Sequence, residues 1–480
     1  MMAILGIMAV FVHQKSDIRN NMAISLWLIL IGNPFAICNT GLILSYSATL
    51  GIVLLSPIFM AKAPKSAKNI WQANVLQKIK EVMVVSISAW VSILPINMVF
   101  FQTISLTFLG SNIIVSFLMG LIVPLGFLIS LPIWIPILPE ILNGILKILI
   151  WTSEVFSGLS LSHILVCPPP IMVILLYFLV LLTWVYLRNL KKKPYQRRMQ
   201  RKFLKHIEQR KKWLWQYKVR VIAIVSIFII SGSYFGRLPQ DLKICFIDVG
   251  QGDCTLIKTP NHKTILIDGG GSKNNEEYDV GKSVVLPYLL NHHTKRIDMM
   301  VVSHFDADHC NGLVSILENL EVKSLIIGKQ KEESKEYKQI IEIARKKKIT
   351  LQIVEKKNQI NIEKDLWFDV LYPEETLSLQ GLNNNSLVLT LNYHHFKMLF
   401  TGDIEKEAEQ KLLTIYQGTD TLKANVIKLA HHGSKTSTTK EFLKAVAPQI
   451  ALIGVGKNNI FGHPNKEVLE RLERMWKQDF

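Results

Sequence analysis

The stretch MMVVSHFDADHCNG, residues 299–312, decides how this chain is read. Its first part is an apolar run of strand character and its last part opens a helix, so His304, Asp306, Asp308 and His309 share one strand-to-helix loop. Carboxylates this close repel one another, and a divalent cation relieves the repulsion. A loop that only caps a helix has no need of four ligand-type side chains, so the pattern points to a metal site.

Working outward, residues 241–480 alternate apolar and polar positions like an ordinary globular domain. Strands are expected at LKICFIDV, CTLIKT, KTILID, MMVVSH, SLIIG, TLQIV, LWFDVLYP, SLVLTLNY, KMLFTGD, VIKLAHH and IALIGV, and helices near 311–320, 334–347, 404–416, 437–446 and 465–477. Strands interleaved with helices predict a layered α/β sandwich. Two further strands end on groups that bind metals. Leu399-Phe400-Thr401-Gly402-Asp403 ends on a carboxylate, and Leu429-Ala430-His431-His432-Gly433-Ser434 on two adjacent histidines. Adjacent side chains point in different directions, so one histidine is expected to face the site: His431 as ligand, with His432 as a second ligand or a proton donor. His463 in Gly462-His463-Pro464 reads as a ligand, a substrate contact or a helix-start residue. His292-His293 and His394-His395 fall outside these motifs and read as surface or structural.

The other half is a membrane protein by composition. Mean hydropathy is +0.26, and the long apolar runs lie before residue 240. Spans are expected near 22–38, 41–60, 82–101, 105–136, 145–166, 171–190 and 219–236, since about 20 apolar residues cross a bilayer. Residues 1–12 read as the end of another span rather than a signal peptide. The net charge of +18 belongs to this half: residues 1–240 hold 23 Lys and Arg against 5 Asp and Glu, and residues 241–480 hold 32 of each. Fourteen of the 23 lie between Arg188 and Arg220. That is the signature of a cytoplasmic loop under the positive-inside rule, suited also to anionic headgroups, and does not require nucleic acid. The loop with Lys62, Lys65, Lys68, Lys78 and Lys80 reads as cytoplasmic too, which places residues 241–480 outside the membrane. Asn33-Pro34, Asn112 and Glu154 lie within spans, where they either break helices or line a water-filled path, or kink and bond them. The five cysteines form no disulfide framework; Cys245 and Cys254 flank a hairpin and could pair, but buried free thiols are the favoured reading.

Taken together, Phe246-Ile247-Asp248-Val249-Gly250-Gln251-Gly252-Asp253, then LIDGG, SHFDADH, NNNSLVL, TGD, HHGS and GHP resemble the hydrolase domain of the ComEC family of competence DNA-uptake channels. Asn33-Pro34 through Gly41-Leu42-Ile43-Leu44-Ser45-Tyr46 resembles that family's competence region. The resemblance implies a multi-pass α-helical membrane bundle followed by an αββα metallo-β-lactamase-like domain: a polytopic region at 1–190, a basic cytoplasmic loop at 191–218, a last transmembrane helix at 219–236 and the hydrolase domain at 242–480. It implies one or two divalent ions, Mn²⁺ or Zn²⁺, on His304, Asp306, Asp308, His309, Asp403 and His431, with Asp308, His432 and His463 in catalysis. Asp268, Asn385, Ser386 and Ser434 would support them. Asp306 stands where the superfamily often has a second histidine, which tilts the site toward harder ions such as Mn²⁺. Asn383-Asn384-Asn385-Ser386 holds no histidine where many superfamily members have one, so one metal would be weakly held.

The activity implied is DNA uptake across the bacterial cytoplasmic membrane, with an extracytoplasmic phosphodiesterase that degrades or handles the non-transported strand. The partners implied are DNA, the membrane and other competence proteins. The alternatives are a membrane-tethered metallo-hydrolase of other phosphoesters, a non-catalytic DNA- or partner-binding domain, and a transporter of something else. Family members carry further N-terminal segments, so the chain is expected to be a fragment, a truncated product or a shorter homologue.

Overall fold

The computed structural model describes residues 17–60, 70–131, 136–190, 239–271, 278–330, 333–377, 379–457 and 459–478. The chain divides into two compact units, residues 1–222 and 223–480. The expected segments at 1–12, 191–218 and 219–236 lie outside the described residues, as do Lys62, Lys65 and Lys68.

The first unit is helical. Helices α1 (Ile18–Gly32), α2 (Thr40–Phe59), α3 (Ile70–Phe100), α4 (Phe108–Ser130), α5 (Ile137–Ser157) and α6 (Ile171–Leu190) follow in order. The single span expected at 22–38 is instead α1 and a short 3₁₀ turn, Pro34–Cys38. Pro34 supplies no N–H, and the Asn33 side chain accepts from Phe35 N at 3.0 Å, capping the new turn. Helices α2 and α3 pack through small residues: Ser56 Oγ donates to Ser88 Oγ at 3.2 Å, and a Cβ on Gly51 would overlap Ser92. The Tyr177 hydroxyl of α6 donates to the Val91 carbonyl of α3 at 2.7 Å.

Among the described residues, four segments are long and apolar enough to cross a membrane: Thr40–Phe59, Leu76–Phe100, Phe108–Ser130 and Ile171–Arg188. The helix expected over 145–166 has other bounds. Helix α5 ends at Gly158, and strand β2 (Ile164–Leu165) then pairs antiparallel with β1 (Thr103–Ile104). Glu140, Lys147 and Glu154 recur at seven-residue spacing along one side of α5, which lowers its apolar character below that of the four spans.

The second unit is a four-layer sandwich. The first sheet has the order β10-β9-β7-β5-β4-β3. It comprises β3 (Lys243–Phe246), β4 (Thr255–Lys258), β5 (Thr264–Ile267), β7 (Met299–Val302), β9 (Ser324–Gly328) and β10 (Thr350–Val354). The second sheet runs β11-β12-β13-β14-β15-β16. Its strands are β11 (Gln359–Glu363), β12 (Leu366–Tyr372), β13 (Val388–Tyr393), β14 (Phe396–Phe400), β15 (Val426–Lys428) and β16 (Ile450–Leu452). A minor pair, β6 (Arg296–Ile297) with β8 (Glu321–Val322), is separate. Helices α7 (Leu286–Asn291), α8 (Ala307–Asn319), α9 (Lys335–Lys346), α10 (Lys406–Ile415), α11 (Lys440–Val446) and α12 (Lys466–Gln478) complete the domain. Helix α7 has too short an apolar pattern to have been expected.

The period-two pattern explains the layering. Leu389, Leu391, Met398, Phe400 and Val426 face the first sheet's Ile257, Ile265, Val301 and Ile326. Their neighbours Val388, Leu399 and Ile427 face the other way, onto Leu412, Phe442 and Leu472 of α10, α11 and α12. Cys245 and Cys254 are both free thiols.

Candidate metal centre

The site is assembled where β5 and β7 of the first sheet and β14, β15 and β16 of the second end, the customary place for ligands on parallel strands. Asp268 follows β5 in the left-handed region at φ 57°. Its Oδ1 accepts from Ser303 N at 2.8 Å and its Oδ2 from Ser303 Oγ at 2.7 Å. The same Oδ2 lies 2.9 Å from His309 Nδ1. A carboxylate only accepts, so Nδ1 carries a proton and Nε2 faces the site. There Nε2 is 3.2 Å from Asp403 Oδ1 and 3.3 Å from His432 Nε2.

His432 repeats the arrangement from the second sheet. Its Nδ1 donates to the Gly454 carbonyl at 2.7 Å. Its Nε2 is 3.3 Å from Asp403 Oδ2 and 3.4 Å from Asp308 Oδ2. Two imidazole nitrogens and two carboxylates thus aim at one another with their proton-bearing sides elsewhere. Ligand atoms of Asp253, His309, Asp403 and His432, all buried, lie within 4.8 Å of one another.

The electrostatics follow from this crowding. Burial opposes a charge on His309, but the Asp403 and Asp268 carboxylates outweigh it and raise the imidazole well above its usual range. Burial likewise disfavours charge on His432, yet Asp403 and Asp253 push its pKa up to about 9. For Asp308 burial is again the largest influence and acts upward. The His432 and His309 imidazoles overcome it, and the carboxyl falls below the usual range. Deep burial, with His309 beside it, drives His304 well below the imidazole range.

A divalent metal fits these residues. His304 Nε2, Asp308 Oδ1 and Asp403 Oδ1 are buried and accept no hydrogen bond, the condition of donors awaiting a cation. With His309 and His432 they make a mixed imidazole–carboxylate set suited to Zn²⁺ or Mn²⁺.

The other expected residues are placed as follows. Asp306 is the N-cap of α8, its Oδ1 accepting from Ala307 N at 3.0 Å. His431 points to the rim, with Nδ1 3.3 Å from Glu405 Oε1 and its ring 5.8 Å from that of His463. His431 and His432 both have left-handed backbones, at φ 48° and 54°, and this turn sends His432 rather than His431 inward. His463 is partly exposed. Partial burial, with His431 and His432 nearby, lowers its pKa. Ser386 Oγ accepts from Asp403 N at 3.2 Å and holds the TGD turn. Asn385 donates to the Leu379 and Gly381 carbonyls, and Ser434 Oγ lies 3.0 Å from Thr436 Oγ1.

His292, His293, His394 and His395 are exposed. Asp253 and Lys428 were missed. The signal for Asp253 was in the glycine-flanked GQGD turn: at Gly252, φ 121°, a Cβ would overlap the Asp308 carbonyl, so this turn must lie against the metal loop. A lysine inside the apolar run VIKLA was the signal for Lys428.

Residues 1–191 match the competence protein family model, and residues 247–457 match the metallo-beta-lactamase superfamily model. The chain is 33% identical over 247 residues to ComE operon protein 3 of Bacillus subtilis (strain 168), covering 49% of this chain and 31% of that protein. It is 30% identical over 228 residues to Recombination protein 2 of Haemophilus influenzae, covering 48% and 26%. To Competence protein ComA of Neisseria gonorrhoeae it is 28% identical over 225 residues, covering 47% and 28%. The matched part is thus less than a third of the length of these curated relatives. Among solved structures, the metallo-beta-lactamase SMB-1 in complex with mercaptoacetic acid aligns at 12% identity and TM-score 0.27, over 51% of this chain and 99% of its own. CmlA, a diiron beta-hydroxylase from Streptomyces venezuelae, aligns at 12% identity and TM-score 0.32, over 50% and 52%.

Proposed function

We propose that this chain, which joins a competence-protein region to a metallo-beta-lactamase superfamily domain as the ComEC family does, serves DNA uptake across the cytoplasmic membrane. In this reading the second unit is an extracytoplasmic, metal-dependent phosphodiesterase acting on the strand that is not transported. The observation that carries it is the convergence of buried His309, Asp403 and His432 donors with the orphaned atoms of His304 and Asp308.

When bound, a divalent cation in such a site supplies Lewis-acid polarisation of a phosphoryl oxygen and a nucleophile at neutral pH. The protein's own part is orientation and proton handling. Asp268 and the Gly454 carbonyl fix the ring orientation of His309 and His432, so both aim Nε2 at the metal position and a cation there displaces a proton rather than turning a ring. His463 stands at the rim beside His431 and, with its lowered pKa, is neutral at physiological pH. That form takes a proton from an entering water more readily than it gives one to a leaving oxygen. The basic 191–218 loop followed by an apolar 219–236 segment supports the extracytoplasmic side.

The test uses the full chain purified in detergent, with single- and double-stranded DNA, Mn²⁺, Zn²⁺ or chelator, beside Asp308→Ala. Cleavage that needs both the metal and Asp308 is expected. A folded, metal-loaded protein that leaves DNA intact, or an Asp308→Ala protein that still cleaves it, overturns the reading.

A further inference from the structure

Lys428 is the one lysine or arginine buried at this centre among the described residues, with a side chain 4% exposed. It ends β15 in the second sheet, while Asp253 enters β4 in the first. Its ammonium pairs with Asp253 Oδ2 and lies 3.9 Å from Asp403 Oδ1. The adjoining cavity, about 20 Å³, is lined by Asp253, Asp268, Ser303 and Lys428 among apolar Val301 and Phe400. That is room for about one water, so bulk solvent does not screen the charge.

Asp253 differs from the other site carboxylates in what it faces. Its oxygens approach His309 and His432 from the Nδ1 side, at 3.8 and 3.9 Å. Asp403 approaches both rings, and Asp308 that of His432, from Nε2. Nδ1 is the proton-bearing back of each ring, because it serves Asp268 in one case and the Gly454 carbonyl in the other. Asp253 therefore stands behind the donor shell, although its oxygen lies within reach of it.

From this geometry we infer that Lys428 is a positioning residue: its ammonium binds Asp253 out of the ligand set and clasps the two sheets in the metal-free protein. The pair is formally neutral. It holds the halves of the site together before a metal arrives and leaves His304, Asp308, His309, Asp403 and His432 to bind it. The inference rests on the metal reading of the site and not on the substrate.

A double-mutant cycle tests it, using the full chain in detergent, stripped of metal by chelator and titrated calorimetrically with Zn²⁺. Lys428→Met frees a carboxylate behind the shell, so Zn²⁺ should bind more tightly and the metal-free protein should melt lower. Asp253→Asn leaves an unopposed ammonium beside Asp403, so Zn²⁺ should bind more weakly. The double variant removes both charges and should return to within about twofold of wild type. It also leaves no buried charge unpaired, so it decides the matter even if a single variant does not fold. A greater loss in the double variant would make Asp253 a ligand and overturn the inference. Both single variants moving affinity the same way would overturn it too. A wild-type chain that binds no Zn²⁺ would instead refute the metal reading itself.

Discussion

Replacing Asp268 with Asn tests the architecture of the metal centre at one atom. Asp268 Oδ1 would still accept from Ser303 N, and Ser303 Oγ could reverse roles and accept from the new amide. The left-handed backbone at φ 57° is one that Asn tolerates well. The contact that cannot survive is the 2.9 Å one to His309 Nδ1, where N–H would meet N–H. His309 then escapes by moving its proton to Nε2, the nitrogen 3.2 Å from Asp403, and ceases to be a donor to a cation. Partners that orient metal-binding imidazoles are typically worth 10- to 100-fold in affinity, about 1.4 to 2.8 kcal/mol. Zn²⁺ titration of the full chain should show that loss, with circular dichroism unchanged. Wild-type affinity in a folded Asp268→Asn protein would refute the claim that the carboxylate sets the ring's proton.

Other outcomes follow from the same geometry. His432→Ala should cost at least about 100-fold in Zn²⁺ affinity, while His431→Ala, which alters only the rim, should stay within about threefold; equal losses in the same titration would contradict the placement of the two rings. Protons occupy the metal's place in the metal-free protein. His432 has a folded pKa of about 9 against an ordinary 6.5, so its contribution to stability is complete below 6.5 and lost as pH rises through 9. In chelator, the melting temperature should therefore fall across that window while the shift produced by Zn²⁺ grows; a flat profile in both series would count against it. Glu409 is buried and accepts from Thr438 N and Thr439 N at the start of α11, so Glu409→Ala orphans two amides. It should cost about 2–4 kcal/mol in urea unfolding, and a loss under 1 kcal/mol would be inconsistent with the capping role.

Much of the site was legible because its first half is local. His304, Asp308 and His309 fall within one turn of chain, and a strand-to-helix loop brings such neighbours together whatever surrounds it. The apolar pattern likewise marked the four membrane-length segments of the described residues, while the span expected at 145–166 ran past the end of α5 because Lys147 and Glu154 were averaged into an apolar stretch. Asp306 belongs to the same loop, but a residue just before a helix can spend its carboxylate on the first turn's amides, and here it caps α8.

The sequence by itself determined where the chain is apolar enough for lipid, that residues 241–480 form layered strands and helices, and which strand ends carry metal-binding groups. Each of these is a matter of periodicity or of short spacing. Only the tertiary structure decided that His432 and not His431 turns inward, because two successive left-handed residues set that direction. It alone paired Lys428 with Asp253. That contact exists because two sheets pack face to face, and no local pattern fixes which side chains two distant strands bring together.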